Sequence, residues 1–155
     1  MADIIDNENL QEAFSELKRA DHLIFVSLKY TRTVDVIKSI IERLINCLDF
    51  SIIALLESYK GKKKVIEIPS SPVARAKKVK EFIEDESILE TLDTYLLWRK
   101  ITKAEFTRAR EFRRHVTMTA IVDNGAIEVN IDVIYEYYDK TKEFFKHIKE
   151  IIESS

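Results

Sequence analysis

The segment VDVIKSIIERLINCLDFSIIALLESY, Val34 to Tyr59, decides how this chain is read. Its apolar residues Val34, Ile37, Ile41, Leu44, Leu48 and Leu55 recur at the interval that lines one face of an α-helix. The same interval joins Leu10, Phe14, Leu17, Ile24 and Leu28 upstream, where Asp6 or Asn7 can cap the first exposed N–H groups. The interruption, Tyr30 to Thr33, is short, so the two helices form either an antiparallel hairpin or a kinked pair. A hairpin buries both stripes at once. Asp21 falls on the first stripe where a leucine would fit, and is expected either at an exposed edge or paired with a base such as Arg32.

Downstream, Gly61 ends the second helix, and the stretch to Pro72 holds both prolines, which marks a long loop. Ser71 followed by Pro72 reads as an N-cap and first helical residue, opening a third helix over Val73 to Phe82. Asp85, Glu86 and Ser87 open a fourth that carries Ile88, Leu92, Tyr95, Leu96 and Trp98. Thr102 and Glu105 have capping-box spacing and predict a fifth helix from Ala104 to about Val122, followed by a loop from Asp123 to Asn130. The competing reading of Val116 to Ile131 is a small β-hairpin, because β-branched residues alternate there around Asn124-Gly125. The last helix starts near Asp132 and sets Ile134, Tyr137, Tyr138, Thr141, Phe145, Ile148 and Ile152 on one face. Taken together, the pattern predicts an all-α, up-and-down bundle of about five to six helices.

The 155 residues fit one domain, 1–155, with 46% hydrophobic and 34% charged residues, a balance that supports a packed core. No apolar run approaches the roughly 20 residues that cross a bilayer, and the start MADIIDNENL lacks the basic and apolar regions of a signal peptide. A cytoplasmic protein with no membrane partner is the expectation. Cys47 is the single cysteine, and its neighbours Leu44, Ile45 and Leu48 predict a buried, unreactive thiol. Few glycines and a single glutamine beside abundant Lys, Glu and Ile give the chain a thermophile-like composition.

A net charge of -2 excludes a globally basic surface, so a nucleic-acid site would need its cations gathered locally. Two stretches do this. One holds Lys62, Lys63 and Lys64, continued by Arg75 and Lys78; the other is the run RAREFRRH from Arg108 to His115. The common nucleotide-binding, zinc and paired-cysteine signatures are absent, so neither a cofactor nor a metal is expected. His22 and His147 stand alone, as surface histidines do.

His115 differs because arginines precede it. If the run is helical, at about 100° per residue Arg108 lies nearly above His115, and Glu111 lies on the same side. Arg110 and Arg114 then point to the opposite side, where Arg114 can add a phosphate contact to the lysines. A histidine can move a proton from a ribose hydroxyl while an arginine holds the phosphate, which makes Arg108, Arg110, Glu111 and His115 the candidate catalytic set. The plainer alternative is that Arg108, Glu111 and His115 form an ion cluster on a helix surface.

The order of features, a long helical pair, then TYLLWRK, REFRRH, a polar break and IYEYYDKTKEFFKHIKEII, resembles the HEPN superfamily of small helical bundles. That family is marked by an arginine and a histidine with four to six residues between them. Arg110 to His115 fits the short spacing and Arg108 to His115 the long one. The resemblance implies a homodimer and, for many members, metal-independent cleavage of RNA in toxin or defence systems. RNA or a nucleotide is then the expected ligand. The segment ADHLIFVSLKY also looks like that of an archaeal protein family. The rival expectation is a non-catalytic helical interaction domain, with Tyr135, Tyr137, Tyr138, Phe144 and Phe145 divided between the core and a protein partner.

Overall fold

A computed structural model describes residues 7–65 and 67–154. Helix α1 (Glu8–His22) runs on through a π-helical turn (Leu23–Ser27) and a short α2 (Leu28–Tyr30). The long α3 (Val34–Gly61), α4 (Pro72–Lys80) and α5 (Glu86–Lys103) follow, then strands β1 (Phe106–Ala109), β2 (Thr117–Val122) and β3 (Gly125–Val129), and finally α6 (Ile131–Glu153).

Local chemistry sets the helix starts. The side chains of Asn7, Thr33, Ser71 and Asn130 each accept a hydrogen bond from the backbone N–H three residues on, and Asp85 accepts from both Ser87 and Ile88. Asp6, the alternative cap of α1, lies outside the described residues.

Helix α3 forms the centre. Ile37, Ile41, Leu44, Leu48 and Leu55 are fully buried, and so are Ile40, Cys47, Ala54 and Leu56 on its other sides, as expected of a helix enclosed by neighbours. Helices α1 and α6 pack along it, with α4 and α5 against its remaining surface. The α1–α3 pair is an antiparallel hairpin: Asn9 near one end donates to Glu57, and Glu16 further along takes Arg43 at 3.1 Å. On the α5 side, Asp49 accepts from the Tyr95 hydroxyl and pairs with Arg99 at 3.0 Å. Asp21 is paired, but with the Tyr138 hydroxyl of α6 rather than with a base.

The predicted fifth helix is absent, and a sheet stands in its place. Helix α5 continues to Lys103, so the Thr102 hydroxyl donates to the Arg99 carbonyl instead of capping a new helix. Strand β2 pairs antiparallel with both neighbours, with Phe106 opposite Ala120, Arg108 opposite Met118, and Val122 opposite Gly125. Alternation decides this region: Val116, Met118, Ala120 and Val122 are buried while the residues between them are not, a period of two that no helix can produce. The hairpin turn falls one residue earlier than Asn124-Gly125. Asp123 and Asn124 take φ of 50° and 66°, the left-handed pair that a type I′ turn needs, and Gly125 already belongs to β3. Buried residues of the sheet and the helices form one continuous core. None of the described helices is long and apolar enough to cross a membrane.

Candidate functional site: a cationic cleft beside His115

With no helix under RAREFRRH, its residues separate according to strand and loop geometry. Arg108 is the third residue of β1, and the chain then turns through Arg110 and Phe112, both left-handed at φ 55° and 65°. Such a conformation costs a residue with a side chain roughly 1–2 kcal/mol, so the surrounding contacts must impose it. Two of these are visible. The Phe112 N–H donates to the Arg32 carbonyl at 2.6 Å, and the Glu111 carboxylate accepts from the Val34 N–H at 3.0 Å, an unpaired donor of the first turn of α3.

Arg108 belongs to this anchorage. Its guanidinium lies 3.0 Å from Asp35 and 3.8 Å from Glu111, and covers the Phe106 ring at 5.2 Å. The stacking of Arg108 above His115 required a helix, and the structure does not provide it. The ion cluster expected of Arg108, Glu111 and His115 forms with Asp35 in the place of His115.

His115 instead faces a cleft of about 650 Å³. Arg110, Arg114 and His115 contribute from the loop, Thr117 and Glu128 from β2 and β3, and Asn130, Ile131, Asp132 and Tyr135 from the start of α6. The rest of the lining comes from the π-helical turn and its sequel: Ile24, Phe25, Leu28, Lys29 and Arg32. Arg110 and Arg114, placed on the far side of the helical wheel, thus share the cleft with His115.

Four permanent cations, Lys29, Arg32, Arg110 and Arg114, meet two carboxylates here, Glu128 and Asp132. Among the described residues none of the four forms an ion pair. The Arg32 Nε is buried without a hydrogen-bond partner. An unmatched buried donor costs about 1–3 kcal/mol, and unpaired arginines around a concave surface favour an anion. Among the described residues no three His, Cys, Asp or Glu side chains converge as metal ligands.

An aromatic wall completes the cleft. Phe25 stacks on Tyr135 with centroids 5.9 Å apart and planes at 23°, and meets Tyr138 edge-on, also at 5.9 Å. Phe25 lies within the π turn, in which the Leu28 N–H reaches back to the Leu23 carbonyl. Burial, then the hydrogen bond to Asp21, raises the Tyr138 hydroxyl above the ordinary tyrosine range, so Tyr138 stays a donor and keeps its place behind Phe25.

The second basic region lies elsewhere. Lys62, Lys63 and Lys64 follow the C-terminal end of α3, whereas Glu111 caps its N-terminal end, and 28 helical residues span about 42 Å. Lys64 sits over the Tyr59 ring, Arg75 donates to the Ser70 carbonyl at 2.9 Å, and Lys78 pairs with Glu81 at 3.1 Å. None of these five lines the cleft. His22 is exposed, and His147 borders a separate hollow with Tyr59 and Phe82. Cys47 is fully buried, and desolvation pushes its thiol up to about 12, which leaves it inert.

Sequence reasoning missed Phe25 and Lys29, named Arg32 only as a partner for Asp21, and named Tyr135 only among aromatics divided between the core and a protein partner. A signal was present in Phe25, which falls off the Leu17–Ile24–Leu28 stripe and so had to be exposed. No protein-family model, curated protein or solved structure matches this chain.

Proposed function

We propose that this cleft binds single-stranded RNA and that His115 cleaves it without a metal, in keeping with the HEPN-like reading of the sequence. The observation that carries the proposal is the convergence of His115 with unpaired Arg110, Arg114, Arg32 and Lys29 in one concave site. In the reaction, the imidazole takes the proton of a 2′-hydroxyl and the 2′ oxygen attacks the adjacent phosphorus. The phosphorus–5′-oxygen bond breaks, and the leaving oxygen takes up a proton. Arg110 and Arg114 stabilise the charge that builds on the phosphoryl oxygens. Arg110 with His115 is the short form of the family's spacing. Arg108 and Glu111 act as positioning residues, since they tie the loop to α3.

The resemblance also carries the expectation of a homodimer, and exposed Tyr30 (78%) and Phe112 (74%) beside the same loop offer apolar surface to a second copy. An interaction domain without catalysis would use the same surface.

The test is cleavage of a labelled RNA oligonucleotide in EDTA. Parent protein should yield 2′,3′-cyclic phosphate and 5′-hydroxyl ends, and His115→Ala or a 2′-deoxy substrate should yield none. Equal cleavage by His115→Ala, or none by the parent, rejects the catalytic reading.

A further inference from the structure

Resting on the RNA reading of the cleft, we infer that Phe25 and Tyr135 form a nucleobase-stacking subsite, so that the site takes an unpaired base together with its phosphate. A cationic cleft alone would serve any polyanion. What separates this one is that its lining includes two aromatic residues stacked on each other, Phe25 and Tyr135, left 49% and 41% exposed. The other aromatic residues of α6 considered above are not exposed: Tyr137, Tyr138, Phe144 and Phe145 are all buried. Tyr135 is the exception, and it turns toward the cleft.

Phe25 lies within the π-helical turn, off the buried stripe, and the buried Tyr138 ring meets it edge-on. Lys29 lies one turn beyond Phe25, and Arg32 follows, so the rings share the cleft with these cations as well as with Arg110 and Arg114. A base against the rings and a phosphate among the arginines are what one nucleotide of a single strand presents at once. The cleft's volume falls in the range that encloses a small ligand. A duplex hides its base faces in the stack, so it can use only the cations.

The test uses two single-stranded octanucleotides in fluorescence anisotropy. One is 2′-O-methyl oligouridine, which cannot be cleaved, and the other carries the same phosphates on abasic spacers. Parent protein should prefer the base-bearing strand. Phe25→Leu and Tyr135→Leu should each weaken that strand about 5- to 150-fold while changing the abasic strand less than twofold, and Tyr135→Phe should restore binding. Arg110→Gly should weaken both strands. Circular dichroism of each variant fixes its folded fraction, and affinities are taken per folded molecule. If the two strands bind parent protein equally, or the ring variants weaken both alike, the stacking subsite is wrong and the phosphate cleft stands. If neither strand binds, the RNA reading fails and the subsite fails with it.

Discussion

Arg108 and Arg110 are two residues apart, yet the structure gives them opposite roles, and the salt dependence of RNA binding separates them. Each phosphate neutralised on a single strand contributes about -0.7 to the slope of log affinity against log salt. With Lys29, Arg32, Arg110 and Arg114 all engaged, the expected slope is about -2.8. Arg110→Gly removes one cation from the cleft and should bring the slope to about -2.1, and glycine suits its φ of 55° without strain. Arg108→Ala removes a side chain already occupied by Asp35, with side-chain exposures of 42% and 72%, so it should cost little stability and the slope should not move. The assay is anisotropy of a non-cleavable octanucleotide between about 50 and 200 mM salt. A flattened slope for Arg108→Ala with an unchanged one for Arg110→Gly would refute the loop geometry and restore the helical wheel.

Further consequences follow from the anchorage and the core. Glu111→Ala leaves the Val34 N–H without its carboxylate and should cost about 1 kcal/mol, a fall of about 2–4 °C in Tm by calorimetry; an unchanged Tm would mean that the contact carries no net stability. Leu48→Ala, at the centre of α3, should cost about 2–5 kcal/mol in denaturant unfolding, and a loss below 1 kcal/mol would contradict its enclosure. Burial pushes the Cys47 thiol up to about 12 in the folded chain, from an ordinary value of 9.0 when unfolded. Its contribution to stability is therefore fully present below about pH 9 and declines as pH rises toward 12, because the unfolded state loses the proton first. A thiol reagent at pH 8 should modify Cys47 only as fast as the chain unfolds, and immediate modification of native protein would contradict the burial.

The helices were legible because each buries a continuous stripe and starts at a side chain able to cap it. Asn7, Thr33, Ser71, Asp85 and Asn130 all cap, and Ile37, Ile41, Leu44 and Leu48 all face inward. The sheet was legible only in part. Strands β2 and β3 announce themselves by β-branched alternation and a turn dipeptide, but β1 is largely exposed and shows no alternation for a pattern to reveal. It is a strand because β2 supplies its hydrogen-bond partner, a long-range cause that local spacing does not carry. Thr102 and Glu105 kept capping-box spacing by coincidence, and that displaced the arginines on the wheel. The cleft was least legible, since Phe25 and Arg32 meet His115 only after the α2–α3 link has been pinned to the loop by Glu111 and the Arg32 carbonyl.

The most direct test of the account is the imidazole spectrum of the chain, which has three histidines, His22, His115 and His147, each in a different place. In a heteronuclear NMR titration of side-chain-labelled protein with non-cleavable oligouridine, the account predicts that His115 alone shifts, saturating with the same affinity as anisotropy reports, and that His115→Ala removes the moving signal. A shift confined to His22 or His147, or bound RNA with all three signals unmoved, would place the ligand outside the cleft and contradict the account.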